Sequence, residues 1–230
     1  MKSKMFAAVA ALVLAGSSLT AQSKPTVAVF PYGNSAIGKQ NEELAPLTKG
    51  IADLMAGELM VNTGIRVLDR ENLNAALKEQ DLGKDGRVDA ATAAKIGKVL
   101  GMKHIITGYF VTDPKGTMVL TTKVINSETS EIEFSTNDRD KVDNFMALVT
   151  KVAHKVNAGL KLPDIPAQLG DAREKKAEKM PFAAVLLYSK AIAAEDSGDK
   201  KGAVELYKQT LAKFPDHEAS QKAMARLGGK

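Results

Sequence analysis

The sequence predicts an α+β fold in which a mixed β-sheet carries helices on one face, followed by a small all-helical segment. Three observations lead to this prediction. Between residues 26 and 101, short β-branched runs alternate with stretches whose apolar residues recur every three or four positions. From 104 to 134 the apolar residues recur at every second position, which is typical of half-buried strands. Helical spacing returns at 140, and Pro163 and Pro166 separate that helix from further helical patterns after 181.

The composition is that of a folded, globular chain. Hydrophobic residues make up 44% and charged residues 26% of the 230 residues, which excludes a wholly disordered or collagen-like protein. The chain has no cysteine, so disulfides, thiolate metal sites and a lipid-modified cysteine are excluded. The formal net charge is only +5, its charges are interspersed, and aromatic residues make up only 5%, so we expect no nucleic-acid partner.

The N-terminus has the pattern of an export signal. Lys2 and Lys4 precede an apolar run at 5–15, and small residues follow up to Ala21. As a helix this run is about 16 Å long, roughly half of a bilayer core, so it is too short to span. We therefore expect a signal peptide at 1–21 that is cleaved after Ala21. The mature chain is then periplasmic, without lipid anchor or membrane-spanning segment, with secretion beyond the cell as the less favoured alternative.

The first part of the mature chain, residues 22–162, is expected to form one α/β domain. Its first half alternates strands and helices, and Pro31, Asp69, Asp89 and Gly101 are the expected boundary residues. Its second half is an antiparallel meander turned at 113–116, followed by a helix capped by Asp140. The predicted elements are strands at 26–30 and 65–68, helices at 44–59, 69–78 and 89–100, strands at 104–112, 117–125 and 131–134, and a last helix reaching Val156.

Residues 163–180 form a predicted linker, and 181–230 resemble a tetratricopeptide repeat, whose period is 34 residues. Ala203, Tyr207 and Leu211 share one helix, Pro215 follows at the expected distance, and Gly198 lies in the preceding turn. An ordinary amphipathic helical hairpin is the alternative. One and a half repeats cannot close a core alone, so these helices must pack on the first domain, another subunit or a partner. The candidate protein-contact residues are Leu187, Tyr188, Tyr207 and Leu211.

Several short stretches of the first domain together resemble the CsgG family, periplasmic proteins related to curli secretion components, and also the similar domains of TolB and LpoB. The stretches lie at 27–30, 67–73, 94–101 with 105–108, and 124–132, where Ser130 replaces the usual glycine. The resemblance implies the soluble domain in a cell-envelope setting, while the family's acylated cysteine is missing. The signature residues, to which we assign structural roles, are Asp69, Arg70, Gly97, Gly101 and Gly108.

Two of these signature residues carry specific expectations. Arg70 lies just after a strand and is expected to pair with Asp69 or with a neighbouring acid, in a structural capping role. Gly108 lies inside a strand, so we expect either a close backbone approach or a β-bulge at this position.

Motifs that would indicate chemistry are incomplete. A strand is followed by G-x-x-x-x-G-K between Gly33 and Lys39, but Gln40 stands where a P-loop needs Ser or Thr for Mg²⁺. The segment at 81–92 partly matches a calcium loop, yet Thr92 occupies the position that requires a bidentate glutamate. The three histidines, His104, His154 and His217, are far apart. We therefore expect no catalytic, cofactor or metal site.

The sequence thus predicts a non-enzymatic periplasmic scaffold or binding protein of the CsgG-like class. Its expected role is cell-envelope or surface-structure assembly and transport, with curli-like assembly as the model. The alternative is an activator or regulator of a cell-wall synthase, similar to LpoB. A nucleotide-binding enzyme that uses the loop from Gly33 to Lys39 is less favoured. Expected partners are envelope proteins, and self-association into a homo-oligomer is left open.

Overall fold

A computed structural model describes residues 24–79, 89–162 and 179–228, together with Gly170, Ala172 and Lys175. The predicted signal peptide, the predicted cleavage site, most of the calcium-like loop and most of the linker lie outside the described residues. The elements, in chain order, are β1 (Thr26–Val29), β2 (Gly33–Asn34), α1 (Lys39–Leu44), α2 (Leu47–Leu59), β3 (Arg66–Val67), α3 (Arg70–Glu79), α4 (Ala90–Val99), β4 (His104–Thr112), β5 (Thr117–Asn126), β6 (Ile132–Lys141), α5 (Phe145–Gly159), α6 (Phe182–Asp196), α7 (Lys200–Lys213) and α8 (Glu218–Leu227).

The six strands form one mixed sheet in the order β3-β1-β4-β5-β6, with β2 alongside the second half of β4. β1 runs parallel to both β3 and β4, whereas β4, β5 and β6 form the antiparallel meander. The predicted α+β class, its mixed sheet and the following helical segment are confirmed. No helix among the described residues is long and apolar enough to cross a membrane.

Helices cover both faces of the sheet, which corrects the expectation of one covered face. Val27 and Val29 pack with α2 and α5, whereas Ala28 and Phe30 pack with α3 and α4. Successive residues of a strand point to opposite faces, so four consecutive buried residues in and after β1 require cover on both sides. The unbroken apolar run at 27–30 carried this information in the sequence.

The last strand is longer than predicted. The prediction ended at 134 because the later residues of β6 that face α5 are polar, so the apolar alternation stops there. β6 continues to Lys141, and its Asp138 and Asp140 lie on the side covered by α5. There Asp138 pairs with Lys155 at 3.0 Å and Asp140 pairs with Lys151 at 3.6 Å. The predicted cap of the last helix at Asp140 is therefore wrong, and α5 begins at Phe145. Ion pairs replace the apolar alternation that would have marked the strand.

The C-terminal helices pack on the first domain, one of the three outcomes expected for them. Ala184, Val185 and Ala191 of α6 belong to the same apolar cluster as Ile51 and Met55 of α2. The closest approach is at Gly50, where a Cβ atom would overlap the side chain of Ser189. A single continuous core therefore joins α2, α5 and the C-terminal helices. The tetratricopeptide character of the helices and the domain boundaries remain predictions.

Gly108 provides the close backbone approach expected from its position in a strand. A Cβ atom there would overlap the carbonyl oxygen of Thr121 and lie 2.8 Å from the ring of Tyr32. The Tyr32 ring covers the glycine, and its hydroxyl lies 2.9 Å from the Thr122 hydroxyl in the core. Burial raises the pKa of this tyrosine well above its ordinary value. The irregularity of the sheet lies elsewhere, between Val124 and Ile125.

The other signature positions also have local structural roles. Gly97 lets α4 approach β4, because a Cβ atom there would overlap the side chain of Ile105. Gly101, with φ 66°, terminates α4, as predicted. Ser130 also has a positive φ of 63°, a backbone conformation that glycine adopts without strain.

Replacing Gly108 with alanine should destabilise the fold by about 2 kcal/mol, because the new methyl group overlaps backbone that cannot move without breaking the β4–β5 pairing. Urea unfolding measures this change. Gly57→Ala is the matched control: it lies in α2 with open space around its Cβ position, so alanine should be neutral or stabilise the helix. Equal stability of the two variants would contradict the close approach at Gly108.

Candidate functional site

The candidate site is built around Arg70, where α2, the start of α3 and the end of α6 meet. Asp69 caps α3 by accepting a hydrogen bond from the Asn72 amide at 2.8 Å, and this fixes Arg70 in the first helical turn. Glu195 and Asp196 lie in the last turn of α6, where the helix dipole disfavours negative charge. Acids at this helix end need nearby cations, and Arg70 is placed to supply one.

Arg70 uses all of its guanidinium nitrogens on carboxylates. Nη1 donates to Asp196, Nη2 donates to Glu195 at 3.0 Å and to Glu71 at 3.2 Å, and Nε lies 3.5 Å from Asp53. Arg70 does not pair with Asp69; its partners are Glu71, next to it in sequence, and three acids from distant segments. The partners come from α2, α3 and α6, so one side chain joins three helices.

Further cations and an amide complete the network. Lys49 of α2 lies 2.8 Å from Asp196, and the Asn74 amide donates to the same carboxylate at 2.8 Å. Arg226 of α8 pairs with Glu195 and, at 3.0 Å, with Glu71. The C-terminal helices are therefore fixed to the first domain by charge as well as by apolar packing.

Two of the four candidate protein-contact residues lie inside this junction. The Tyr188 hydroxyl donates to Asp53, and the Tyr207 hydroxyl donates to Glu195 at 2.8 Å. Their rings lie 5.9 Å apart and both are buried. Both tyrosines therefore bind this chain's own helices. Leu187 and Leu211 are half-buried, and their role in contacting a partner remains a prediction.

The charged groups of this cluster shift one another's pKa values. Burial lowers the pKa of Arg70, but Asp196, Asp53 and Glu195 outweigh this effect and hold its pKa above the ordinary value. Burial raises the pKa of Asp53, more than the Tyr188 hydrogen bond and the charge of Arg70 lower it. Burial also acts to raise the pKa of Glu195, but hydrogen bonds from Arg226 and Tyr207 and the charge of Arg70 bring it below the ordinary value.

A cleft of about 770 Å³ opens beside this cluster, between α2 with the start of α3 and the pair α7–α8. Met146, Met180, Tyr188 and Tyr207 contribute to its floor. Charged side chains of α2, α3 and α8 lie around it. This site belongs neither to the first domain nor to the C-terminal helices alone, since it forms where the two meet.

The arrangement offers no recognisable catalytic group among the described residues. These residues contain no cluster of three or more His, Asp or Glu side chains that could hold a metal ion. The Nδ1 atom of His217 lies 2.7 Å from Ser220 Oγ at the start of α8, but Ser220 is fully buried and cannot act as an accessible nucleophile. His104 contacts Glu133, and His154 lies exposed on α5, so the histidines do not come together.

The loop between Gly33 and Lys39 does not form a phosphate cradle. Gly33 and Asn34 pair with β4, the Ser35 amide donates to Phe110, and the Ala36 amide donates to Asn34. A P-loop needs such amides directed at the phosphate, with a helix starting at the lysine. The helix condition is met, since α1 starts at Lys39, but the condition on the amides is not. Here they are engaged within the protein.

Several functional residues of the cluster were missed from sequence: Asp53, Glu195, Asp196 and Arg226. They are separated from Arg70 by up to about two thirds of the chain, so spacing alone does not connect them. One local signal was present, because two acids in the last turn of a helix are unfavourable without a cationic partner.

Comparison with known proteins gives one family match. The model of the family described as "Curli production assembly/transport component CsgG" matches residues 8–113, just under half of the chain. This confirms the resemblance over that range, which contains β1 to β4 and most of the predicted signal. Among curated proteins, none matches the chain.

Solved structures show weak similarity to the chain. The LpoB C-terminal domain from Escherichia coli has 17% identity and a TM-score of 0.40, over 51% of this chain and 83% of that one. The PelC dodecamer from Paraburkholderia phytofirmans has 9% identity and a TM-score of 0.39, over 61% and 89%. TolB from Acinetobacter baumannii has 10% identity and a TM-score of 0.37, over 60% and 27%. With TM-scores below 0.5, these similarities support no functional assignment.

Replacing Arg70 with methionine should destabilise the protein by about 3 kcal/mol, since it leaves Asp196, Glu195 and Asp53 close together without their central cation. Lys49→Met is the matched control, because this cation also pairs with Asp196 but is 39% exposed, compared with 13% for Arg70. It should cost less than about 1 kcal/mol. Urea unfolding of both variants measures the difference, and similar losses would contradict a central role for Arg70.

Asp53 and Glu195 should change stability with pH in opposite directions. The lowered pKa of Glu195 gives stability that is present above its unfolded-state pKa and is lost as the pH falls through the folded-state pKa. The raised pKa of Asp53 gives stability that is complete at low pH and is lost as the pH rises through the folded-state pKa. The experiment is unfolding of wild type, Glu195→Gln and Asp53→Asn across acidic to neutral pH. The stability differences from wild type should slope in opposite senses, and slopes of equal sign would refute this assignment.

Proposed function

We propose that this protein is a non-enzymatic, exported component of the cell envelope that binds partner proteins during assembly or transport. The observation that carries the proposal is the match of residues 8–113 to the family described as a curli production assembly/transport component. The matched range contains the signature residues from Asp69 to Gly108. The proposed location is the periplasm, reached by means of the predicted signal peptide.

The geometry supports a binding role over a catalytic one. The densest group of charged side chains, centred on Arg70, is satisfied by internal partners and fixes the C-terminal helices. Catalytic groups need a free face toward substrate, whereas these groups face one another. What remains accessible is the cleft beside them, lined largely by apolar side chains with charged ones around it. Such a surface suits recognition of another macromolecule.

The test is a photo-crosslinking residue placed at Met60, which lines the cleft and is half exposed, in the protein expressed in its native cell. We expect a mature chain in the periplasmic fraction and defined crosslinked envelope proteins. Crosslinked secretion or fibre components support the assembly role, and a wall synthase would favour the LpoB-like regulator instead. Retention in the cytosol, or no crosslinked protein, contradicts the proposal. The same label at Glu205, an exposed site on α7 outside the cleft, is the positional control.

A nucleotide titration tests the enzymatic alternative. We expect no saturable binding of ATP or GTP, because the Ser35 and Ala36 amides are engaged internally and Gln40 replaces the Ser or Thr that would hold Mg²⁺. Saturable binding that is abolished in Lys39→Ala would overturn the non-enzymatic proposal.

A further inference from the structure

We propose that the outer edge of β6, the side of the strand away from β5, binds an extended acidic segment of a partner protein, which adds to the sheet as a further strand. None of the residues that line the cleft lies on β6, so this is a second surface. The inference rests on the proposed binding function and names the chemistry of one partner. Three observations support it: unpaired backbone groups along the edge, strand acids that are engaged within the chain, and cations on the exposed side.

The outer edge of β6 has backbone groups to offer. β6 is the last strand of the sheet, and within the described part of the chain no strand pairs with this edge. The Val142 amide donates to the Gly116 carbonyl, and in the β5–β6 register this means that the even-numbered residues from 134 to 142 bond to β5. The N–H and C=O groups of Ser135, Asn137 and Arg139 therefore point away from the sheet, where an extended segment can pair with them.

One contact confirms the direction of these groups and protects the edge. Lys155 of α5 donates from Nζ to the Asn137 carbonyl oxygen at 3.0 Å, so this carbonyl points outward. A lysine at a strand edge hinders unspecific pairing. Lys155 also pairs with Asp138 at 3.0 Å, and its side chain is 46% exposed. It can therefore release the carbonyl to an incoming amide and keep its ion pair.

The acidic side chains of β6 are engaged within the chain. Asp138 and Asp140 lie on the side covered by α5 and pair with lysines of that helix. The third acid of the strand, Glu133, contacts His104. Among the residues of β6, no carboxylate is therefore left without a partner, and none of the three is free to pair with a basic ligand.

The exposed side of β6 carries cations. Arg139 lies on this side, together with Ser135, and Lys123 of β5 is opposite Ser135 in the register. Neither Arg139 nor Lys123 has a carboxylate partner among the described residues. Because Ser135 is small, the Lys123 side chain can extend past it toward the edge. Carboxylates on an added strand would lie beside Arg139 and, four positions away, beside Ser135 with Lys123 behind it.

This charge distribution favours an acidic partner over a second copy of the chain. Antiparallel pairing of two β6 edges would place Arg139 and Lys123 of both copies on one continuous face. Like charges gathered on one face repel each other, whereas aspartate or glutamate on the added strand would pair with them. The unpaired backbone groups favour a polypeptide over other polyanions, because an extended polypeptide brings N–H and C=O groups at the matching spacing.

The experiment measures binding of synthetic peptides to the mature chain by fluorescence anisotropy. The probe has ten residues, the length of β6, with glutamate and threonine in alternation. The controls are a peptide of the same composition in scrambled order and one with lysine in place of glutamate. We expect the probe to bind about tenfold more tightly than either control, since only the probe presents its carboxylates on one side of an extended strand.

Hydrogen exchange shows where the probe binds. Strand addition should slow the exchange of the outward amides of Ser135, Asn137 and Arg139. The even-numbered amides of β6 already bond to β5, so their exchange should change little. Binding of the probe without added protection at the odd-numbered amides would overturn the inference, because the peptide would then lie elsewhere.

A substitution pair tests the backbone of the edge. Asn137→Pro removes an outward N–H without removing a bond to β5, and proline is tolerated in this way on edge strands. It should weaken binding of the probe about tenfold, whereas Asn137→Ala, which keeps the N–H, should leave binding unchanged. Thermal unfolding confirms that each variant is folded.

A second set of variants tests charge without altering the backbone. Arg139→Gln with Lys123→Gln should weaken binding of the probe several-fold and reduce its salt dependence, whereas Lys208→Gln, at an exposed site on α7, should have no effect. Equal binding of the three peptides, or unchanged binding to both Asn137→Pro and the double variant, would overturn the inference. Single-stranded DNA that binds as tightly as the probe would also overturn it, in favour of a general polyanion surface.

The failure of this inference and of the proposed function can be told apart. If the label at Met60 crosslinks envelope proteins but the probe does not bind, only the inference fails. If the probe binds the β6 edge but no envelope protein is crosslinked in cells, the proposed function fails.

Discussion

Arg70 lies among carboxylates from three helices, and it is the central cation that links the end of α6 to α2 and α3. Without it, the acids at the end of α6 would face Asp53 and the negative end of their own helix dipole. The close packing of α2 on α6, for example at Gly50 and Ser189, holds the same arrangement by contact. Ion pairs and packing therefore stabilise the same arrangement of the first domain and the C-terminal helices. The cleft forms between them in that arrangement.

Those elements whose hydrophobic period is unambiguous were predictable from the sequence. β1, β4, β5 and the helices α2, α3 and α4 follow their apolar patterns, and Asp89 and Gly101 bound α4 as predicted. The short helix α1 was not predictable in this way, because its sequence is polar and only Leu44 in it is buried. β6 was shortened because aspartates on its covered side pair with lysines of α5. The apolar run at 27–30 predicts a buried strand, but periodicity does not show that α3 and α4 cover its second side.

The candidate site was the least predictable part, because it consists of contacts between distant segments. Arg70 was identified as a residue that needs an acid, but Glu195 and Asp196 lie more than half of the chain away, and no local pattern specifies which acid it meets. Tyr188 and Tyr207 were identified as contact residues, and the contacts they make lie within the chain. Sequence periodicity shows that a face must be covered, whereas only the tertiary structure shows by what.

The shared core has a consequence for the order in which the protein is completed. One face of α2 packs against the sheet and another face packs against α6. α6 begins more than 120 residues after α2 ends. A nascent chain that has emerged only as far as α5 still exposes this apolar surface and lacks Glu195 and Asp196, two of the four acids that contact Arg70. The core is therefore completed only when the C-terminal helices have been made, and until then the incomplete chain exposes an apolar surface that favours aggregation.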